Sequence, residues 1–180
     1  MPNWVKTKLI FHQITDEQFE DVINRFCKLT EDGCWCLDFQ KIIPMPDNVF
    51  RGNLSMEDEK KYPGDLNWYG WSNRHWGTKW NACYGDISRI EHSISFSTAW
   101  AYPAPVVEEL AKQTLMRISA ESLNEDYAVG AEWAEYQPDQ DTGEIWVQHG
   151  CYEYGTGAFW ECMETLWGMT KEEVEDEEND

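Results

Sequence analysis

The sequence predicts an α+β domain: a mostly antiparallel sheet with helices packed on one face. Three observations carry that expectation. A helix start is written into Thr15-Asp16-Glu17-Gln18, which has the form of a capping box. Several later segments alternate apolar and polar residues with the period of a half-buried strand. The segments follow one another as strand, helix, three strands, helix and then a strand meander, an order that suits antiparallel neighbours.

Each element has its own warrant. Residues 4–12 read as a strand, with Trp4, Lys6 and Lys8 alternating with Val5, Thr7 and Leu9. In the next segment Ile14 and Phe19 stand where a hydrophobic staple places them. Phe19, Val22, Ile23, Phe26 and Leu29 recur at helical spacing, so a helix is expected over 15–30, closed near Gly33. A strand is expected at 34–43, stopped by Pro44-Met45-Pro46. Residues 47–75 are polar and rich in Gly and Pro, and read as an insertion with a short helix or two. Strands follow at about 79–88 and 91–99. Pro103 and Pro105 then open a helix over 103–118, with Val107, Leu110, Ala111, Thr114 and Ile118 on one face. Strands at about 119–127, 130–137 and 144–150 make a meander whose last turn holds Asp141-Thr142-Gly143. Thr156 caps a final helix over about 156–169, and residues 170–180 read as a disordered acidic tail.

At 180 residues the chain is long enough to bury about 70% of its unfolded surface. One domain over 1–169 plus the tail is therefore expected. The 11 Trp, eight Tyr and seven Phe supply the apolar area that a hydrophobic fraction of 42% would otherwise leave short. No apolar run approaches the roughly 20 residues of a membrane span. The first residues lack the basic-then-apolar order of a signal peptide. A place in the host cytoplasm is expected, with Cys27, Cys34, Cys36, Cys83, Cys151 and Cys162 as reduced thiols.

Charge is laid down unevenly. Residues 1–100 carry 14 acids and 11 bases, whereas residues 101–180 carry 20 acids and only Lys112, Arg117 and Lys171 in opposition, for a net charge of −20. That density disfavours direct nucleic-acid binding, which rests on Lys and Arg neutralising phosphate. It favours a partner whose own surface is basic. Duplex DNA carries one charge per roughly 1.7 Å of axis, so twenty carboxylates match about ten base pairs.

Several short strings resemble the Api92-like family of phage and plasmid proteins. They are Met1-Pro2-Asn3-Trp4, Ile43-Pro44-Met45-Pro46, Trp76-Gly77-Thr78-Lys79-Trp80 and Phe96-Ser97-Thr98-Ala99-Trp100. A fifth runs from Tyr127-Ala128 through Gly130 to Glu135-Tyr136. All five lie in order within residues 1–137. Val5 and Asn81 stand where the family pattern has Cys and Asp. The resemblance implies a ferredoxin-like domain of mobile-element origin, and it carries no common activity.

Candidate sites are weighed against plain structural roles. The string Trp76–Trp80, with Arg74, His75 and Lys79, forms a possible binding loop for an anion, but its Trp, Gly and Thr also suit packing and turns. The stretch Trp68–Trp80 interleaves aromatics with cations, as single-stranded nucleic-acid modules do. Cys34 and Cys36 could begin a metal site on one strand face, but zinc wants four ligands at wider spacing, so no metal and no cofactor are expected. Carboxylates beside tryptophans, such as Glu132-Trp133, Trp160-Glu161 and Glu144 near Trp146, invite a glycosidase-like reading. Neighbours on a strand point to opposite faces, however, so Glu132-Trp133 is no such pair.

The leading expectation is a non-enzymatic, host-directed inhibitor of the anti-CRISPR or anti-restriction type that mimics DNA. Its partner-binding face would hold Glu121, Glu125, Asp126, Glu132, Glu135, Asp139, Asp141 and Glu144. Its partner would be a host or defence protein with a basic nucleic-acid-binding surface, and neither a membrane nor nucleic acid itself. A small hydrolase or sugar-active enzyme using paired carboxylates is the first alternative, and a single-stranded nucleic-acid module through Trp68–Trp80 is the second.

Overall fold

The computed structural model describes residues 3–31, 33–127 and 130–177. Met1, Pro2 and Ala128 of the family-like strings, and residues 178–180 of the acidic end, lie outside them. Strand β1 (Trp4–His12) turns Val5, Thr7, Leu9 and Phe11 inward by strict alternation. Helix α1 (Asp16–Phe26) opens on the expected capping box: Gln18 N–H donates to Thr15 Oγ1, and the Gln18 side chain accepts from Thr15 N–H at 2.8 Å. It stops at Phe26, short of residue 30, because Cys27 turns extended and starts β2 (Cys27–Leu29), which pairs with β3 (Trp35–Leu37).

The expected strand 34–43 is broken in two. After β3 the chain enters α2 (Phe39–Ile42), capped by the Asp38 carboxylate. A distant residue stabilises the break. Asn81 Oδ1 accepts from Phe39 N–H at 2.8 Å, and Asn81 Nδ2 donates to Asp38 Oδ1 at 2.6 Å. The insertion holds α3 (Met56–Lys61), a 3-10 turn at Gly64–Leu66 and α4 (Trp68–His75), in keeping with its polar, Gly-rich sequence.

Strands β4 (Cys83–Ser88) and β5 (Ser93–Ala99) form a hairpin, and α5 (Ala104–Thr114) follows. The meander is β6 (Arg117–Asn124), β7 (Ala131–Pro138) and β8 (Ile145–Tyr152). The six long strands make one sheet in the order β4-β5-β1-β6-β7-β8, with every neighbouring pair antiparallel.

Helices cover both faces of this sheet, not one. On the front, α1, α2 and α5 bury Phe19, Ile23, Phe39, Val107 and Leu110 against Leu9, Phe96, Ile118 and Tyr136. On the back, α6 (Gly157–Trp167) and α7 (Lys171–Glu177) close a second cluster of Phe159, Cys162, Met163, Leu166 and Val174 over Leu123 and Ala131. The reason lies in β6, where consecutive Ser122 and Leu123 are both buried and the alternation fails. Trp167 ties the back cluster down: its Nε1–H donates to Leu123 O at 3.2 Å, and Lys6 Nζ stands 4.2 Å from its ring.

The acidic end is likewise not all tail. Thr170 caps α7, donating its N–H to Glu173 Oε2 at 2.8 Å and accepting from Glu173 N–H at 3.4 Å. Val174, the one apolar residue of that helix, is fully buried. Among the described residues, no helix is long and apolar enough to cross a membrane.

Candidate functional site

Beside α5 the front of the sheet carries small side chains. Ala120 pairs with Ala134, and Ala134 with His149; in the next row Ser122 faces Glu132, and Glu132 faces Cys151. Alternation sends all of these to the same side. Where helix-facing strands elsewhere present Leu, Ile or Phe, Ala120, Ser122 and Ala134 leave depth, and a groove of about 980 Å³ opens above them. The segment 100–104 and Glu108 of α5 form its wall.

That wall is built with some strain. Trp100 has a left-handed backbone at φ 74° and is 54% exposed. A bulky residue there costs on the order of 1 kcal/mol. The turn is held by Trp100 N–H donating to Asn3 O at 2.9 Å and Thr98 Oγ1 donating to Ala101 O at 2.8 Å. Beyond it, the Tyr102 and Tyr136 hydroxyls meet at 3.0 Å. Burial pushes the Tyr136 phenol up to about 12, with Glu108 and Glu132 adding to the rise, and pushes Tyr102 well above 10.0. Both phenols therefore stay protonated at neutral pH.

The charged lining is one-sided. Glu108 and Glu132 reach the groove, and among the described residues no Lys or Arg does. Thr7, opposite Ser122 in register, buries Oγ1 with no partner among the described residues and does not itself line the groove. Such a surface accepts hydrogen bonds and positive charge. It offers little to an anion.

The eight expected partner-binding acids do not form one face. Only Glu132 enters the groove. Glu121 and Glu135 have the opposite phase and lie on the back of the sheet, where Glu135 pairs with Arg117 at 3.1 Å. Glu125 and Asp126 follow the end of β6, while Asp139, Asp141 and Glu144 sit in the β7–β8 turn, roughly 25 Å away along the strand. Asp139 builds that turn: its Oδ1 accepts from Thr142 N–H at 2.7 Å, Thr142 Oγ1 at 3.0 Å and Asp141 N–H at 3.0 Å. The Thr142 bonds, with that from Asp141, hold its carboxyl below the usual range. The structure thus distributes these eight acids over a groove, two turns and a back surface.

The possible binding loop is structural in its centre. Trp76 is buried and its Nε1–H donates to Ile43 O at 2.9 Å; Thr78 Oγ1 donates to Ala99 O at 2.7 Å. Gly77, at φ 76°, passes so close to Pro105 that an added Cβ would fall 2.9 Å from its ring. Arg74 and His75 both turn to Asp65, at 3.0 and 3.4 Å. Lys79 stands over the Trp80 ring at 4.5 Å, and Trp80 in turn lies against Trp4.

The Cys34 and Cys36 thiols do not share a strand face, since Cys34 is exposed ahead of β3 and Cys36 is buried within it. Burial pushes Cys27 up to about 12 and Cys36 to about 11, and the neighbouring Cys36 and Cys83 thiols add to the respective rises. Among the described residues, no three His, Cys, Asp or Glu side chains come together to hold a metal ion.

The sequence reading places Glu108 and Glu109 of the second helix on the same acidic surface as Glu132, but misses Tyr102, Tyr136, Ser122 and His149 as its companions. The β6–β7–β8 register and the packing of α5 on it bring them together, and no local motif encodes either. No protein-family model, no curated protein and no solved structure matches the chain.

Proposed function

We propose that the chain is a non-enzymatic, phage- or plasmid-encoded acidic protein that occupies the basic nucleic-acid-binding surface of a host or defence protein, as an anti-CRISPR or anti-restriction inhibitor would. The observation that carries this reading is the groove, with Glu108 and Glu132 and no cation in its described lining, set in a half of the chain with 20 acids and three bases. Cationic side chains of the partner enter the groove, and the surrounding carboxylates speed the encounter. Exposed Trp100 at the rim supplies the apolar contact that slows release. The strand order β4-β5-β1-β6, with α1 and α5 on one face, supports a ferredoxin-like reading of that part, which β7 and β8 extend.

A tagged chain can capture partners from host lysate at low salt, and the bound proteins can then be challenged with duplex DNA. Mimicry expects DNA to release them. It also expects the Glu108→Lys, Glu132→Lys double variant to capture them at least tenfold more weakly, a loss of about 1.4 kcal/mol or more. Capture that resists excess DNA, or that survives the double variant, defeats the reading. The same carboxylate pair favours a sugar-active or hydrolytic enzyme as a second reading, for which single Glu108→Gln and Glu132→Gln changes would abolish turnover.

A further inference from the structure

The two edges of the sheet are treated very differently. At one edge, β4 carries Asp86, and its register shifts between Cys83 and Asp86 at a bulge where Tyr84 has φ 52°. It is also covered: β3 lies so close that a Cβ on Gly85 would fall 2.6 Å from Cys36 Cα. Charge, a bulge and a covering strand are the usual means of keeping an edge from pairing. At the other edge, β8 shows none of them. Its eight residues, Ile145-Trp146-Val147-Gln148-His149-Gly150-Cys151-Tyr152, include no Asp, Glu, Lys or Arg. Trp146 is 70% and Val147 39% exposed, and no described strand lies beyond them.

An eight-residue uncharged edge in a chain of net charge −20 is out of keeping with everything around it. We propose that the outer rim of β8, from Ile145 to His149, is a docking edge that takes an extended segment of a basic partner as a seventh strand. This rests on the reading of the groove as a receptor for cations. Charge selects the occupant. Asp139, Asp141 and Glu144 crowd the turn at the head of β8, and Glu132 lies two strands in on the front face. A second copy of this chain would bring like charge against like charge, whereas a cationic strand is attracted at both places. Geometry agrees. A strand added about 4.8 Å beyond β8 sets alternate side chains beside Val147 and His149, which already line the groove. A long cationic side chain beside His149 stands on the same face as Glu132, one row along the strands from it, since Glu132 faces Cys151. Main-chain hydrogen bonds supply affinity, and the groove reads every second residue.

The test uses the full chain and three blocked six-residue peptides: alternating Arg and Val, the same peptide with every backbone amide methylated, and alternating Thr and Val. Amide hydrogen exchange is followed residue by residue. The Arg-Val peptide is expected to bind saturably and to slow exchange along Ile145–His149. The methylated peptide, with equal charge and no strand donors, is expected to bind at least about tenfold more weakly. Equal binding of the two Arg peptides without β8 protection would show attraction by charge alone; it overturns the docking edge and leaves the acidic-groove reading standing. Equal protection by the Thr-Val peptide overturns the basic partner. Protection of β8 that rises with protein concentration in the absence of peptide, together with a dimer mass by sedimentation, assigns the edge to a second copy and also overturns the proposal.

Discussion

Tyr102 and Tyr136 share a hydrogen bond of 3.0 Å between their hydroxyls, one from the wall of the groove and one from its floor. It joins the segment leading into α5 to β7, and so adds to the bonds of Trp100 and Thr98 that hold the wall. Tyr102→Phe leaves ring packing in place and removes that bond. The expected cost is about 1 kcal/mol in urea unfolding. Amide hydrogen exchange at Trp100–Tyr102 and Ala104 provides the second readout, speeding up as the wall loosens.

Asn81 has an amide that a carboxylate cannot replace. It donates from Nδ2 to Asp38 while accepting from Phe39 N–H with Oδ1. Asn81→Asp keeps the shape and the second bond, and sets two carboxylates against each other at a half-buried site. A loss of about 2 kcal/mol is expected at pH 7. It should shrink on acidification towards pH 4, when one carboxyl of the pair takes up a proton. A variant equally destabilised at both pH values would show that the amide is not what matters.

Alkali should unfold the protein through its buried thiols. Cys27 and Cys162 are pushed up to about 12 and Cys36 to about 11 from an ordinary 9.0, first of all by burial. Folding therefore holds protons that the unfolded chain gives up. The stabilising contribution is complete below pH 9 and is lost as pH rises from 9 through 11 and 12. Each thiol adds at most about 1.4 kcal/mol per pH unit to the slope. Unfolding by urea at pH 8, 9, 10 and 11 measures it, and Cys162→Ala should flatten the curve by one thiol's share.

Val174→Asp should release α7 without unfolding the sheet. Its side chain is fully buried in the back cluster, on a helix otherwise made of acids and one Lys. Placing a carboxylate there costs about 2 kcal/mol or more. Hydrogen exchange should speed up in α7 and in the last turn of α6, while β1 and β5 keep their protection.

Much of the architecture was legible because it is written locally. The α1 capping box, the alternation in β1 and the Thr156 cap of α6 depend on neighbours within a few residues. What was missed depends on contacts far along the chain. The break after β3 rests on Asn81, 43 residues from Asp38. The second face of the sheet turns on Leu123 following Ser122, a lapse in alternation that a period-two reading treats as noise. The α7 cap was legible, since Thr170-Lys171-Glu172-Glu173 is itself of capping-box form, but the charge around it suggested a solvated tail. For the site, the acids were easy to count and their faces were not. Strand register decides which acids of the neighbouring strands look the same way as Glu132, and register follows from pairing between strands.

The two clusters on either side of β6 are unlike in more than position. The front one is covered by α1, α2 and α5, drawn from both halves of the chain and carrying Arg25, Lys41 and Lys112 among their acids, whereas the back one is closed by helices crowded with Glu161, Glu164, Glu172, Glu173, Glu175 and Asp176 against Lys171. Self-repulsion bears harder on the back lid than on the front one. The molecule should therefore come apart in sequence: α7 and α6 lift first, earliest at low ionic strength, while α1, α5 and the central strands hold. Salt, which weakens the grip on a cationic partner, fastens the back of the same protein. Binding and integrity answer to ionic strength with opposite sign.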